Sequence, residues 1–243
     1  MDLLKTSRLT ITNNDLVFNE SKIANSIVIS DIEKMLRNER YQSYYPKERN
    51  QYIENDDEHG IPMMNEIFYR MFIMFKKVPW KAYLSEYKRL YCITLPDGKM
   101  RINSSEPKYN YTFTEREIDG KLLRGYMSFC KELFLMYSLK KAGYWVIYDF
   151  INDKNGIDIT VRNKQKDNWY GIRVYANSEK AETYAGIKKK TRSKLEKFNG
   201  TIIVAKANMA QRTIGDTYVF TERQIRNLCE YMDKGLKENT MIF

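Results

Sequence analysis

The chain is 243 residues long, with 43% hydrophobic residues and a formal net charge of +10 at pH 7. These values suit one large domain or two small ones and exclude a low-complexity or repeat protein. The positive charge favours a polyanionic partner, nucleic acid before an acidic membrane surface. The three cysteines are widely spaced and include no Cys-x-x-Cys pair, which excludes a disulfide framework and a zinc knuckle.

Reduced thiols are typical of the cytoplasm, and the first residues have no apolar core of the kind that a signal peptide has. The longest apolar stretch, 67–78, contains Arg70, Lys76 and Lys77, so it is too short and too charged to span a bilayer. We therefore expect a cytoplasmic protein without a membrane partner.

The first half of the chain predicts a small α+β unit of unknown role. Its elements in chain order are a hairpin at 9–18, a short helix from about residue 30, a polar aromatic loop at 40–49, helices at 63–77 and 80–90, and a strand at 91–95. The turn formers Pro96-Asp97-Gly98 follow that strand. The polar segment 103–112 is the best domain boundary, which predicts domains at 1–116 and 117–243.

The second half has clearer signals. They predict a long helix at 119–142 ended by Gly143, strands at 144–150, 157–161 and 169–175, a helix at 178–198, strands at 201–205 and 217–220, and a helix at 222–234. Turn residues at Asn155-Gly156 and Asp167-Asn168 predict that the first three strands form an antiparallel meander. The helix at 178–198 then connects the third strand to a fourth strand at 201–205 that lies parallel to it. This order predicts an α/β fold with a mixed β-sheet flanked by helices.

With this order of elements, the chain resembles the PD-(D/E)XK nuclease superfamily over roughly its second half. The matching residues are Gly156-Ile157-Asp158-Ile159, the strand at 169–175, and Glu132 in the long helix. The resemblance implies a restriction-endonuclease-like fold, with Glu132 and Asp158 as ligands of Mg²⁺ or Mn²⁺. Such a metal prefers oxygen ligands, activates a water and stabilises the charge on the phosphodiester.

The chain departs from the family at the third motif, where an acid-x-lysine sequence is replaced by Gly171-Ile172-Arg173 or, in the neighbouring register, by Arg173-Val174-Tyr175. One alternative is that the missing groups have moved to the helix at 178–198, which offers Glu179, Lys180, Glu182, Lys188 and Lys189. The other alternative is that the metal site has decayed and the fold only binds nucleic acid.

The first hypothesis is a Mg²⁺-dependent DNA endonuclease, with Glu132, Asp158 and Glu182 as metal ligands and with Arg173 and Lys189 in the catalytic set. DNA is expected before RNA, and a homodimer is one of the assemblies expected. The second hypothesis is a catalytically inactive nuclease fold that binds or regulates nucleic acid. The third is a protein-interaction domain whose charge is incidental.

Simpler interpretations remain open for each residue. Glu132 fits a solvated helix face, and Asp158 fits a pair with Arg173 on the next strand. The tyrosines at 41, 44 and 45 fit packing within the N-terminal domain as well as stacking on unpaired bases. A basic strip in the helix at 178–198 fits either a solvated face or a phosphate-binding surface; its residues are Lys188, Lys189, Lys190, Arg192, Lys194 and Lys197.

Replacing Lys188, Lys189 and Lys190 by glutamine tests the basic strip. We expect nucleic-acid binding to weaken about equally for all sequences, because lysines bind phosphates independently of the bases. The slope of log affinity against log salt should fall by about one unit for each phosphate that the variant no longer neutralises. An unchanged slope in a salt titration would mean that the strip is only a solvated face.

Overall fold

The computed structural model describes residues 27–54, 61, 64–148, 156–163, 165, 167–176, 198, 200–207, 212–235 and 240–242. The predicted hairpin at 9–18 lies outside these residues. So does nearly all of the predicted helix at 178–198, including the whole basic strip. Within the described parts the protein is a mixed α/β fold.

Six helices are present in the described parts: α1 Ile29–Asn38, α2 Gln51–Glu54, α3 Met64–Phe75, α4 Trp80–Tyr91, α5 Glu115–Lys141 and α6 Glu222–Lys234. Helix α6 has the bounds that the sequence predicted, 222–234. The long helix begins four residues earlier than predicted, because Thr114 and Glu117 form a capping box around its first turn. No helix in the described ranges is both long and apolar enough to cross a membrane.

The described strands are β1 Cys92–Thr94, β2 Met100–Ile102, β3 Trp145–Ile147, β4 Ile159–Asn163, β5 Asn168–Ala176, β6 Thr201–Ala207, β7 Thr213–Ile214, β8 Thr217–Tyr218 and β9 Thr240–Ile242. The main sheet has the order β3-β4-β5-β6-β9. The β3–β4 and β4–β5 pairs are antiparallel, whereas β6 is parallel to β5. The predicted meander with a parallel fourth strand is confirmed.

Four strands, β2, β7, β8 and β9, differ most from the sequence prediction. β2 was not predicted, although it pairs with β1 across the predicted turn at Gly98. β9 was not predicted either, and it extends the sheet by pairing in parallel with β6. The strand predicted at 217–220 is shorter and forms a separate two-stranded hairpin with β7. Such short strands carry few residues, so their pattern of alternation is weak.

The centre of the core is α5. Helices α1, α3, α4 and α6 pack on it, and so do strands β3, β5 and β8. Residues before and after the 103–112 segment therefore share one continuous set of buried side chains. The division into domains at 1–116 and 117–243 stays a prediction, and it has to accommodate this shared core.

The two faces of the main sheet have different environments. The face towards α5 and α6 carries apolar side chains of the core: Val146, Tyr148, Ile159, Val161, Tyr170, Ile172, Val174, Ile203 and Ala205. Strand alternation places their neighbours on the opposite face. Those neighbours include Trp145, Arg162, Trp169 and Gly171.

The tyrosines at 41, 44 and 45 take part in packing. Tyr41 is fully buried, and its hydroxyl donates to the carbonyl of Asp216 at 2.8 Å. The Tyr44 ring lies 5.0 Å from the Trp80 ring, and Tyr45 is partly buried against the core. Tyr41 is therefore a packed residue, but its partners Asp216 and Tyr126 lie in the second half of the chain and not in the first half as predicted, while Tyr44 is 39% exposed.

The close approach of the β7–β8 turn to the end of α1 yields a stability prediction. Gly215 has a φ of +61°, and a Cβ there would overlap the carbonyl oxygen of Leu36. Gly98 has a φ of +80°, but no atom lies within 4 Å of its Cβ position. We expect Gly98→Ala to cost about 1–2 kcal/mol from backbone strain alone. We expect Gly215→Ala to cost about 1–3 kcal/mol more, because the turn must also move away from α1.

Urea unfolding of the two variants measures this difference, with Gly98→Ala as the matched control. Equal decreases in unfolding free energy would contradict the close approach of the turn to α1.

Candidate active site

The carboxylate of Glu132 is held in the interior. The residue lies on α5 and is only 5% exposed. The hydroxyl of Tyr69 donates to its Oε2 at 3.0 Å, and the hydroxyl of Ser128 donates to its Oε1 at 3.2 Å. The interpretation of Glu132 as a solvated surface residue is wrong. Because a buried carboxylate is costly unless its oxygens are bonded, these two donors are needed to keep it in place.

Asp158 lies at a bend where the chain enters β4. Its amide donates to the carbonyl of Ile172 at 3.0 Å, while Ile159 is also paired with Ile172. Two residues therefore face one residue of β5, which is the geometry of a β-bulge. The amide of Val174 donates to Asp158 Oδ2 at 2.6 Å, so the bulge and this bond fix the carboxylate against the backbone of β5.

Both acids influence the charge of Lys131, the residue before Glu132 on α5. Burial lowers the pKa of the Lys131 ammonium, and the carboxylates of Glu132 and Asp158 oppose this shift because they favour the charged form. Glu132 and Asp158 come from different elements, yet both act electrostatically on the same lysine. The structure thus brings together two of the predicted site residues and adds a third residue that sequence analysis missed.

Strand β5 contributes backbone to this site instead of a charged side chain. Its α5-facing positions next to Asp158 are Ile172 and Val174, both of them apolar core residues. Alternation places Arg173 on the opposite face. Within the described parts of the chain, Arg173 Nε is buried and has no hydrogen-bond partner, which excludes a bond from this atom to Asp158.

Helix α3 of the first half forms one wall of the site. Tyr69 and Tyr148 are both fully buried, with ring centroids 3.9 Å apart. The side-chain amide of Asn65 donates to the Tyr148 hydroxyl at 3.2 Å. These contacts fix the Tyr69 hydroxyl that holds Glu132. Sequence analysis assigned the first half no role, because no local pattern relates Tyr69 to a helix that begins forty-odd residues later.

The remaining predicted site residues cannot be placed relative to this centre. Glu182, Lys189 and the rest of the basic strip lie outside the described residues. Among the residues that the structure does describe, no group of three or more His, Cys, Asp or Glu side chains could hold a metal ion. Two carboxylates nevertheless fit Mg²⁺, which proteins often bind through one or two carboxylates together with waters and substrate phosphates.

The charge state of Lys131 yields a pH prediction. Its pKa in the folded protein lies below its ordinary value of 10.5. Between these two values the unfolded chain binds more protons than the folded one, so stability rises with pH in that window. Relative to Lys131→Met, the wild type should therefore gain unfolding free energy as pH increases from 7 to about 10.

Lys88→Met is the matched control, because the pKa of Lys88 is raised whereas that of Lys131 is lowered. Burial lowers the pKa of Lys88, but hydrogen bonds to Glu115 and Asp119 outweigh this effect and raise it overall. The contribution of Lys88 should therefore be fully present up to its unfolded pKa and decrease only above it. Urea unfolding at both pH values tests the pair, and a difference between wild type and Lys131→Met that does not change with pH would contradict the burial of Lys131.

Comparisons of the chain with protein-family models, curated proteins and solved structures gave no match. The resemblance to the PD-(D/E)XK nucleases therefore stays a prediction. What this chain does has to be inferred from the Glu132, Lys131 and Asp158 centre and from the fold that holds it.

Proposed function

We propose that this protein is a metal-dependent endonuclease with a restriction-endonuclease-like fold, and that Glu132 and Asp158 are its metal ligands. One observation carries the proposal: a buried helix acid and a strand-entry acid act on a single lysine whose pKa is lowered. The order of one long helix, three antiparallel strands and one parallel strand supports the same fold.

The two acids have complementary surroundings. Glu132 is fixed by Tyr69 and Ser128, and Asp158 is fixed by the backbone of β5. Fixed carboxylate oxygens suit a hard cation, because little reorganisation is needed when it binds. A bound Mg²⁺ or Mn²⁺ would supply an activated water and neutralise charge on the phosphodiester.

Lys131 takes the role that the lysine of the third motif has in the family. An ammonium in this position attracts the phosphate of the substrate. Glu182 remains the proposed third metal ligand. Lys189 remains a proposed member of the catalytic set, whereas Arg173, on the sheet face opposite α5, is left out of it.

The charge of +10 supports a polyanionic substrate, for which we propose DNA before RNA. Homodimerisation and a cytoplasmic location belong to the same proposal. The basic strip would bind phosphates without regard to sequence, because lysine contacts to phosphates release counterions and do not read bases.

A second candidate function is nucleic-acid binding without cleavage. It is favoured by β5, where Gly171-Ile172-Arg173 stands in place of the acid-x-lysine of an active relative and where the α5-facing residues Ile172 and Val174 are apolar. Both functions predict binding, so only a cleavage measurement separates them.

The variants Asp158→Asn and Glu132→Gln test the active site. Each amide keeps the shape and the hydrogen-bond acceptor of its carboxylate but loses the charge that a divalent ion needs. We expect cleavage of supercoiled plasmid with Mg²⁺ or Mn²⁺ to fall by about 100-fold or more, with the melting temperature nearly unchanged.

Asp216→Asn is the matched control. Its carboxylate accepts hydrogen bonds from the amides of Tyr41 and Gln42, as that of Asp158 does from Val174, but it lies in the β7–β8 turn. This variant keeps the same kind of acceptor as Asp158→Asn does, so it should cut normally, with a melting temperature nearly unchanged. A wild type that cuts neither DNA nor RNA with either ion, yet binds them, would overturn the endonuclease proposal in favour of binding alone.

A further inference from the structure

Two tryptophans and an arginine lie side by side on the sheet face opposite α5. Trp145 on β3 is paired with Arg162 on β4, and Arg162 is in turn paired with Trp169 on β5. Because directly paired residues point to the same face, the three side chains form one row across three strands. We call this row the Trp–Arg–Trp row.

The indoles lean towards each other over the middle strand. Strands two apart in a sheet are separated by about 9.5 Å. The ring centroids of Trp145 and Trp169 are only 5.6 Å apart, at an interplanar angle of 49°. The guanidinium carbon of Arg162 lies 5.5 Å from each ring centroid. The row is therefore a compact aromatic surface with a cation at its centre.

Asp167, directly before β5, orients the cation. Arg162 Nε donates to Asp167 Oδ1 at 2.6 Å, and the Arg162 side chain is 35% exposed. Asp167 has a φ of +52°, a conformation that non-glycine residues adopt infrequently. Lys164 and Lys166 lie between these two residues in the sequence and add positive charge to this segment.

Neither indole of the row belongs to the core on the α5 face, and both are partly exposed. Trp80, the third tryptophan of the chain, is by contrast a core residue with 8% exposure. Trp145 Nε1 is a buried donor without a hydrogen-bond partner in the described parts of the protein. Large rings that contribute little to the core, beside an oriented cation, are typical of surfaces that bind aromatic ligands.

We propose that the Trp–Arg–Trp row is a stacking platform for unpaired bases of single-stranded nucleic acid. Indole faces stack on any base, the guanidinium adds a cation–π contact or a phosphate contact, and the net charge of +10 attracts the strand. The proposal rests on the nucleic-acid partner of the proposed function, but it places the single strand on the face of the sheet away from Glu132.

Tryptophan fluorescence provides a direct measurement. In a Trp80→Phe background the two indoles of the row are the remaining tryptophans. Titration with an oligothymidine of about 16 nucleotides, in EDTA to prevent cleavage, should quench this fluorescence, whereas a blunt duplex of the same length should quench it much less.

Binding by the full chain, measured by fluorescence anisotropy of labelled oligothymidine, tests each ring. Trp145→Leu and Trp169→Leu should each weaken binding about 5-fold to 150-fold, since stacking on one aromatic residue contributes about 1–3 kcal/mol per base. Trp169→Phe retains an aromatic face and should therefore bind more tightly than Trp169→Leu. It replaces the leucine variant in this test if that variant does not fold.

Tyr52→Leu is the matched control. Tyr52 is 43% exposed and stacks on Tyr111 with centroids 5.5 Å apart, so it is a surface aromatic pair outside the row. This variant should bind oligothymidine as the wild type does. Wild-type affinity in both leucine variants, together with a lower melting temperature, would mean that the row only stabilises the sheet and would overturn the proposal.

The outcome is separable from that of the proposed function. Asp158→Asn should lose cleavage and retain the quench. A wild type that cuts plasmid but shows no quench with oligothymidine would refute the stacking platform and leave the endonuclease proposal intact. A quench without any cleavage would refute the endonuclease proposal and leave the stacking platform intact.

Discussion

The burial of α5 on two sides is the constraint on which the rest of the structure depends. Its 27 residues run between the helices of the first half and the main sheet, and the side chains from Ile118 to Leu139 are mostly buried. A polar group on such a helix must be bonded, because its desolvation is not otherwise compensated. Each buried polar residue of α5 therefore indicates either a structural bond or a functional site.

Asp119 and Glu132 illustrate the two outcomes. Asp119 near the start of α5 is 1% exposed and meets the ammonium of Lys88 at 2.9 Å, with the hydroxyl of Tyr44 on its other oxygen. The Lys88–Asp119 ion pair holds α4 against α5, and the Tyr44–Asp119 hydrogen bond holds the 40–49 loop against it. Glu132 has hydroxyl donors, and the cation next to it is Lys131, which is itself partly desolvated. A lysine and a carboxylate held in this way retain charge that a substrate phosphate or a metal ion can use.

The pleat of the sheet separates the two proposed activities. Side chains that face α5 lie beside Glu132 and Lys131, whereas Trp145, Arg162 and Trp169 lie on the opposite face. A shift of the β4–β5 register by one residue would exchange the two faces and destroy both sites. The Asp158 bulge and the Arg162–Asp167 bond lie at the two ends of this strand pair, where they help to fix that register.

The sequence by itself determined those features that depend on neighbouring residues. Alternation and turn residues predicted the meander of β3, β4 and β5, and the bounds of α6 were predicted as well. Only the tertiary structure decided which side chains meet. The surroundings of Lys131, Tyr69 and the two partly exposed indoles come from elements far apart in the chain, and β9 extends the sheet by pairing with β6. Local patterns report on backbone conformation within a few residues, whereas the convergence of charges depends on helix packing and on strand register, for which no short segment carries a signal.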